Sequence, residues 1–201
     1  MKKTLSLILI LALSSVLMLT ACSGGGNEGD GAMNAEKWED MLSAPNFENY
    51  TLKETATVMG YTTSCTVKMT NGKVEIALLF EGETEPTVIV YEGNDAAAQK
   101  KGYEELFLTL LADFDNFTYD EAAKVYKNPN PINAKIAMTV EGVSTLSDIT
   151  MTNGAVTLSE DGQLLKFDCD YAQTTTTPEG PISITTHMYM EFSNYGTTVI
   201  E

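Results

Sequence analysis

The sequence contains no arginine, and its basic residues are few. All twelve basic residues are lysine, against 28 acidic residues, so the chain carries a formal net charge of −16. A surface this acidic repels nucleic acid and anionic membrane faces. Without arginine, the chain also lacks the side chain that clamps phosphate or carboxylate groups in a bidentate manner. We therefore exclude nucleic acid and nucleotides from the expected partners.

Catalytic and metal-binding patterns are equally scarce. The one histidine, His187, falls on the polar side of an alternating segment, together with Tyr189 and Glu191. No Gly-x-Ser-x-Gly motif, zinc-type His/Cys spacing, dinucleotide-binding glycine pattern or P-loop occurs. Asp168 and Asp170 lie along a predicted strand, which lacks the looped geometry of a calcium site. We therefore expect no enzymatic activity, no cofactor and no metal site.

Long apolar runs are missing except at the N-terminus. Lys2 and Lys3 precede an apolar run from Leu5 to Leu19, which is shorter than a membrane span of about 20 residues and typical of a signal-peptide core. The run ends in Leu-Thr-Ala-Cys at residues 19–22, the lipobox pattern of a bacterial lipoprotein signal. We therefore predict that residues 1–21 are a lipoprotein signal peptide and take no part in the fold.

Cys22 is the predicted lipidation site. Its thiol is a nucleophile that can accept a diacylglyceryl group, whereas the alternative is an unmodified signal with an accidental cysteine. Acyl chains such as palmitate contribute about 0.8 kcal/mol per buried methylene, so several chains would hold the protein on a membrane. Residues 22–33 are rich in glycine and are predicted to be a flexible tether. The expected location is extracytoplasmic, lipid-anchored to the bacterial cell membrane.

Residues 34–201 are predicted to form a single domain of the α+β class. Helical spacing of apolar residues predicts a short helix near residues 34–43 and a longer one from about residue 94 to residue 114. A further helix is predicted over residues 118–126, which begin with the capping-box pair Thr118 and Glu121. The helices are expected to cover one face of a sheet.

Strand patterns occupy most of the rest of the domain. Apolar and polar residues alternate on both sides of Asn71-Gly72, which predicts a hairpin with positive backbone angles at its turn. From residue 133 to the end the chain again resembles strands, with turns predicted at Asn153-Gly154, 160–162 and 178–180. This order predicts a large antiparallel sheet that curves around its helices.

Methionines and cysteines occupy several apolar strand positions. Flexible thioether side chains fit irregular apolar ligands, so the methionines are candidates for lining an apolar cavity, with ordinary core filling as the alternative. The candidate residues are Met69, Met138, Met151, Met188 and Met190. Cys65 and Cys169, here called the inner thiols, are interpreted as small buried hydrophobes, and a disulfide between them is the alternative in an oxidising compartment.

Three segments resemble a group of bacterial surface lipoproteins. They are EKWEDMLSAPNFENYTLKET (36–55), FDNFTYDEAAKVY (114–126) and MEFSNYGTTVIE (190–201). In that group a tryptophan-bearing helix leads into an Asn-Phe-x-Asn-Tyr-Thr strand, and an Asn-Tyr-Gly-Thr-Thr segment closes the sheet. The group is similar in architecture to the half-barrel of periplasmic lipoprotein carriers and mycobacterial lipid-binding lipoproteins. The resemblance implies that residues 34–201 form a half-barrel, a strongly curved sheet covered by helices, with an apolar cavity between.

The same resemblance implies a function in binding or carrying a hydrophobic molecule, and it transfers no catalytic residue. The chain departs from the carriers in having its own acylation site, Cys22, which implies a tethered rather than a shuttling protein. We therefore expect a membrane-anchored lipoprotein that binds a lipid or another apolar small molecule. The alternative is a non-catalytic interaction or structural module, whose core is filled and whose acidic surface binds another envelope protein.

Overall fold

A computed structural model describes residues 15–16, 33–43, 47–140, 143–177 and 180–200 of the chain. Helix α1 covers Ala35–Met41 and helix α2 covers Gly93–Leu111, and a single 3₁₀ turn follows at Phe114–Asn116. The strands are β1 (Ser15–Val16), β2 (Tyr50–Val58), β3 (Tyr61–Met69), β4 (Lys73–Phe80), β5 (Thr87–Glu92), β6 (Thr118–Asp120), β7 (Val125–Lys127), β8 (Ile132–Val140), β9 (Val143–Leu158), β10 (Leu164–Thr177) and β11 (Gly180–Ser193).

These strands form one large antiparallel sheet that is not closed. Its order is β1-β8-β9-β10-β11-β2-β3-β4-β5, and β7 also pairs with β9 and carries β6. β1 is a two-residue pairing within the predicted signal peptide, and ten strands follow it in the chain. The predicted α+β class with a large antiparallel sheet is confirmed.

The position of helix α2 indicates that the sheet curves. α2 contacts β4 and β5 near one end of the strand order, and it also contacts β8 at the other end. A flat sheet would separate these strands by several interstrand spacings of about 4.8 Å each. The sheet therefore bends toward α2, and the face that it presents to the helix is called the inner face below.

Side chains alternate between the inner face and solvent, as the sequence pattern predicts. On β11, Met188 and Met190 are buried on the inner face, whereas His187 is exposed on the outer face. On β2, Leu52 is buried and its neighbour Lys53 is exposed. The inner faces of the strands and the apolar side of α2 together form a single contiguous core.

Aromatic side chains close one end of this core around Trp38. The Trp38 ring centroid lies 5.4 Å from that of Phe114, 5.1 Å from that of Phe117 and 5.5 Å from that of Tyr126. Its indole N–H donates a hydrogen bond of 2.6 Å to the carbonyl oxygen of Leu111 at the end of α2. Because the tryptophan is fully buried and its polar atom is satisfied, it joins α1 to α2 and to the segment that follows.

The predicted helix over residues 118–126 is wrong, because this segment forms the β6–β7 hairpin. The Asp120 carboxylate accepts 3.0 Å hydrogen bonds from the backbone N–H groups of Ala122 and Ala123 in the connecting turn. This local bonding competes with the expected capping box. Pairing of Tyr126 with Val156 of β9 then adds the hairpin to the sheet, a tertiary contact that local sequence does not reveal.

The predicted turn at Asn153-Gly154 is also wrong, because β9 continues through both residues. The register shifts there, so that the two residues stand opposite Cys169 of β10 as a bulge. Asn153 takes a left-handed φ of 55° and donates a 2.7 Å hydrogen bond from its side chain to Asp170. The bulge separates the part of β9 that pairs with β8 from the part that pairs with β7.

The other predicted turns have different outcomes. A turn at Asn71-Gly72 does connect β3 to β4, although neither residue has the positive φ that was expected. A turn also lies at residues 160–162, where the Gly162 N–H donates to the Ser159 carbonyl. The turn predicted at 178–180 falls mainly outside the described residues.

Candidate functional site

Four of the five candidate methionines lie in the core. Met69, Met151, Met188 and Met190 have exposed fractions of 2% or less and belong to the contiguous apolar cluster. Met138 lies on β8, but its side chain is outside the described part of the structure. The burial of the four methionines agrees with cavity lining and equally with core filling.

The inner thiols are both buried and free, and no disulfide joins them. Cys65 is on β3 and Cys169 is on β10, with β2 and β11 between them in the sheet. Three interstrand steps place them about 14 Å apart along the sheet, whereas a disulfide needs Cα atoms within about 7 Å. Burial raises the pKa of Cys65 to about 12 and also raises the pKa of Cys169, so both stay protonated.

Glu54 is the inner-face residue that the sequence analysis missed. It lies on β2 between Leu52 and Ala56, its exposed fraction is 4%, and it stands opposite Cys65 on one side and Met190 on the other. Its Oε2 atom is buried without a hydrogen-bond partner. The alternation of β2 could have revealed it, because a glutamate there occupies a position that the pattern assigns to the core.

Burial changes the protonation of Glu54. Desolvation disfavours the charged form of a carboxyl group and raises the pKa of Glu54 from its ordinary value of 4.5 to about 7. Buried atoms without a partner also occur at Tyr50, Glu105 and Asn128. However, among the described inner-face positions of β2, β3, β4, β10 and β11, Glu54 is the only residue with an ionisable carboxyl or amino group.

Four other side chains lie near enough to this carboxyl group for its charge to affect their pKa values. Burial is the main cause of the raised pKa of each of the four groups, and the negative charge of Glu54 raises each pKa further. They come from three elements and are Cys65 on β3, Tyr103 on α2, and Cys169 and Tyr171 on β10. We call these four residues and Glu54 the Glu54 site.

The inner face opens at the end of the strands beyond the Glu54 site. Leu52 and Val67 are fully buried on the closed side of Glu54. On its other side the next row is mostly buried as well, and the inner-face residues become partly exposed only near the β2–β3 turn, where Tyr61 at the rim is 65% exposed. The partly exposed residues are Val58, Thr63, Phe80, Tyr171 and Ile184. The apolar face is therefore accessible at the rim of this end.

Small side chains occupy the row of the sheet next to Glu54. In that row the register places Cys169 opposite Met188, Met188 opposite Ala56, and Ala56 opposite Thr63. Three of these four side chains are small, and Cys169, Met188 and Ala56 are buried, so other parts of the molecule cover this row. The carboxyl group of Glu54 is therefore separated from the partly exposed end of the inner face by one row of mainly small residues.

The outer face carries the histidine where the alternation predicts it. His187 Nδ1 lies 2.9 Å from Asp170 Oδ1, and Nε2 lies 3.7 Å from Asp168 Oδ1. The hydrogen bonds from Asn153 and His187 lower the pKa of Asp170. Among the described residues, no group of three or more His, Cys, Asp or Glu side chains has an arrangement that could hold a metal ion.

Two of the short motifs that carry the family resemblance contact each other. The Asn49 side chain accepts a 2.7 Å hydrogen bond from the Thr198 N–H and donates one of 3.2 Å to the Thr198 carbonyl. The hydroxyl groups of Thr51 and Thr198 lie 2.9 Å apart, and the Gly196 N–H donates to the Asn49 carbonyl. These motifs therefore join the C-terminal segment to the start of β2 and act as structural elements.

No protein-family model, curated protein sequence or solved structure matches this chain. The relationship to bacterial surface lipoproteins therefore stays a prediction from short motifs. In the described part of the chain, none of the helices combines the length and hydropathy that spanning a membrane requires.

Proposed function

We propose that this protein is an extracytoplasmic, membrane-anchored lipoprotein that binds an apolar ligand between its curved sheet and helix α2. In this proposal the domain is a half-barrel, the function is binding without catalysis, and acylated Cys22 is the anchor. The observation that carries the proposal is the inner face that opens beyond Glu54. An apolar surface that is both concave and accessible is the usual setting of a small-molecule site.

The residues at the open end can supply the affinity. A ligand that covers the partly exposed side chains Val58, Phe80 and Ile184 removes apolar surface from water. Each 100 Å² of apolar surface removed contributes about 2.5 kcal/mol before the entropic cost of binding is subtracted. The affinity of an alkyl chain lying along these residues should therefore rise with the apolar area that it covers.

The tether suits a protein that takes its ligand from a membrane. Glycine-rich chains behave as flexible coils, so residues 22–33 would span about 20 Å on average. This distance keeps the domain close to the lipid surface without fixing its orientation. The open end of the inner face can then approach the membrane.

Binding can be tested with the purified acylated protein and with its soluble domain, residues 34–201. Native mass spectrometry after gentle extraction should detect a bound apolar molecule, and the soluble domain should bind a fluorescent lipid probe. The variant Ala56→Phe places a large side chain on the inner face between Glu54 and the open end and should abolish binding, whereas Thr55→Phe on the outer face is the matched control. A folded protein that contains no bound apolar molecule and does not bind the probe would refute the proposal.

Anchoring is tested separately. The variant Cys22→Ser cannot accept a diacylglyceryl group, so it should leave the membrane fraction and lose labelling by radioactive palmitate. If the unsubstituted protein does not take up the label, the proposal that Cys22 is an acylated anchor is refuted. The proposal that the domain binds a ligand is tested only by the probe experiment.

A non-catalytic interaction module is the second candidate, and the filled end of the core favours it. The ring centroid of Phe107 lies 5.4 Å from that of Phe47 and 5.2 Å from that of Phe192, which leaves little room for a ligand there. In this case the acidic exterior would contact an envelope protein, and cross-linking on intact cells would capture that partner. Equal capture by the protein and by Ala56→Phe, without probe binding, would favour this candidate.

A further inference from the structure

We infer that Glu54 selects the polar group of the ligand, so that the site takes an alkyl alcohol or alkyl amine and rejects a fatty acid or a phosphate ester. This inference rests on the proposed ligand-binding function and adds the chemical class of the ligand. Its basis is the position and the bonding of one carboxyl group, with the charges that surround it.

The carboxyl group has an unused hydrogen-bonding position inside the protein. The exposed fraction of Glu54 is only 4%, and its Oε2 atom has no hydrogen-bond partner. A buried polar atom without a partner costs about 1–3 kcal/mol, and a ligand that supplies a donor recovers part of this cost. A hydroxyl group or an amine is such a donor.

The surroundings disfavour an anionic ligand. Among the described inner-face positions of β2, β3, β4, β10 and β11 there is no lysine, and the groups near Glu54 are thiols and phenols. A carboxylate or phosphate placed there would meet a second acidic group without a compensating cation. A fatty acid would have to be protonated before it could bind.

The position of Glu54 also sets the direction of the ligand. Leu52 is fully buried on one side of the carboxyl group, and the row of small residues with Ala56 and Thr63 lies on the other side, toward the partly exposed end of the inner face. A ligand whose polar group reaches Glu54 must therefore extend its apolar chain toward Val58 and Phe80 at the open end. This places the polar group deep in the site and the chain near the rim.

Three ligands of equal chain length test the inference, namely dodecanol, dodecylamine and dodecanoate. Calorimetric titration at neutral pH should show that the alcohol and the amine bind the soluble domain at least about tenfold more tightly than the fatty acid. In Glu54→Leu the alcohol and the amine should weaken by about tenfold, and dodecanoate should not. Glu54→Gln should keep the binding of the alcohol and weaken that of the amine, because an uncharged amide does not attract an ammonium group.

A matched control separates the site from the general acidity of the protein. Glu191→Gln removes a carboxylate from the outer face of β11, the strand next to Glu54, and should leave the order of the three affinities unchanged. Trp38 fluorescence reports whether each variant is folded.

The outcomes distinguish the two proposals. If all three ligands bind the unsubstituted domain with equal affinity, or if dodecanoate binds most tightly, the selection by Glu54 is overturned and ligand binding survives. The same applies if Glu54→Leu keeps the preference of the unsubstituted domain. If the folded domain binds none of the three ligands and no lipid probe, the proposed function fails and the inference fails with it.

Discussion

Replacing Glu54 with glutamine is expected to stabilise the protein at neutral and alkaline pH. Burial raises the pKa of Glu54 from 4.5 to about 7, so between these values the folded state holds a proton that the unfolded state releases. Stability therefore falls as the pH rises from about 4.5, and the loss is complete above about pH 7. The difference between the two pKa values corresponds to about 3 kcal/mol.

The amide of glutamine has nearly the same shape as the carboxyl group and does not ionise. Burying its additional donor costs about 1 kcal/mol, so a net gain of about 2 kcal/mol is expected at pH 8. Well below pH 4.5, where Glu54 is protonated in both states, the variant should be no more stable than the unsubstituted protein. The size of the gain should therefore follow the ionisation of the buried carboxyl group.

Urea unfolding at several pH values between 4.5 and 8.5 measures this effect, with the fluorescence of the buried Trp38 as the signal. Other acidic groups also contribute to the pH dependence, and burial is the main cause of the raised pKa of Glu104. Their contributions cancel in the difference between the variant and the unsubstituted protein. A difference that does not change between pH 5 and pH 8 would refute the reasoning.

The outer-face acid Glu191 provides a control of opposite sign. Hydrogen bonds from Tyr189 and Lys166 lower the pKa of Glu191, so its ionised form favours the folded state. Stability from this group is present above its ordinary pKa and is lost as the pH falls through the lowered pKa. Glu191→Gln should therefore give no stabilisation at pH 8.

Three further predictions concern stability and reactivity. Gly154→Ala would place a Cβ atom 2.5 Å from Asn128 Oδ1 and should destabilise the protein by about 1–3 kcal/mol in thermal unfolding, whereas Gly72→Ala, with nothing within 4 Å, should have little effect. Asn49→Ala removes the paired hydrogen bonds to Thr198 and should cost about 1–3 kcal/mol and speed proteolysis of the C-terminal segment. The inner thiols should resist a thiol reagent in the folded domain and react fully in urea, because burial raises the pKa of both groups. A mass corresponding to an internal disulfide would contradict that prediction.

The sequence predicted the faces of the strands better than it predicted their connections. Alternation correctly predicted His187 on the outer face and Met188 and Met190 on the inner face, because successive side chains of any extended strand point to opposite faces of the sheet. The helix expected at 118–126 failed because a local turn at Asp120 and the pairing with β9 outweighed helical spacing. The two Asn-Gly pairs that were predicted to form turns also differ, because Asn71-Gly72 forms a turn and Asn153-Gly154 forms a bulge.

The candidate site was only partly predictable. Four of the expected methionines are on the inner face, yet the alternation said nothing of whether they line a cavity or fill the core. The same alternation could have predicted that Glu54 is buried, because it occupies an inward position of β2 beside Leu52. The proximity of Glu54 to Tyr103 of α2 and to Cys169 could not be predicted, because these residues are far apart in the chain.

By itself, the sequence determined the acidic charge, the absence of arginine and the alternation that divides each strand into two faces. These properties depend on composition and on local backbone geometry, so they need no knowledge of neighbours. Only the tertiary structure decided the strand order, the free state of the inner thiols and the burial of Glu54 among apolar residues of the inner face. Each of these depends on which distant segments pair, and pairing is set by packing over the whole sheet rather than by any one stretch of residues.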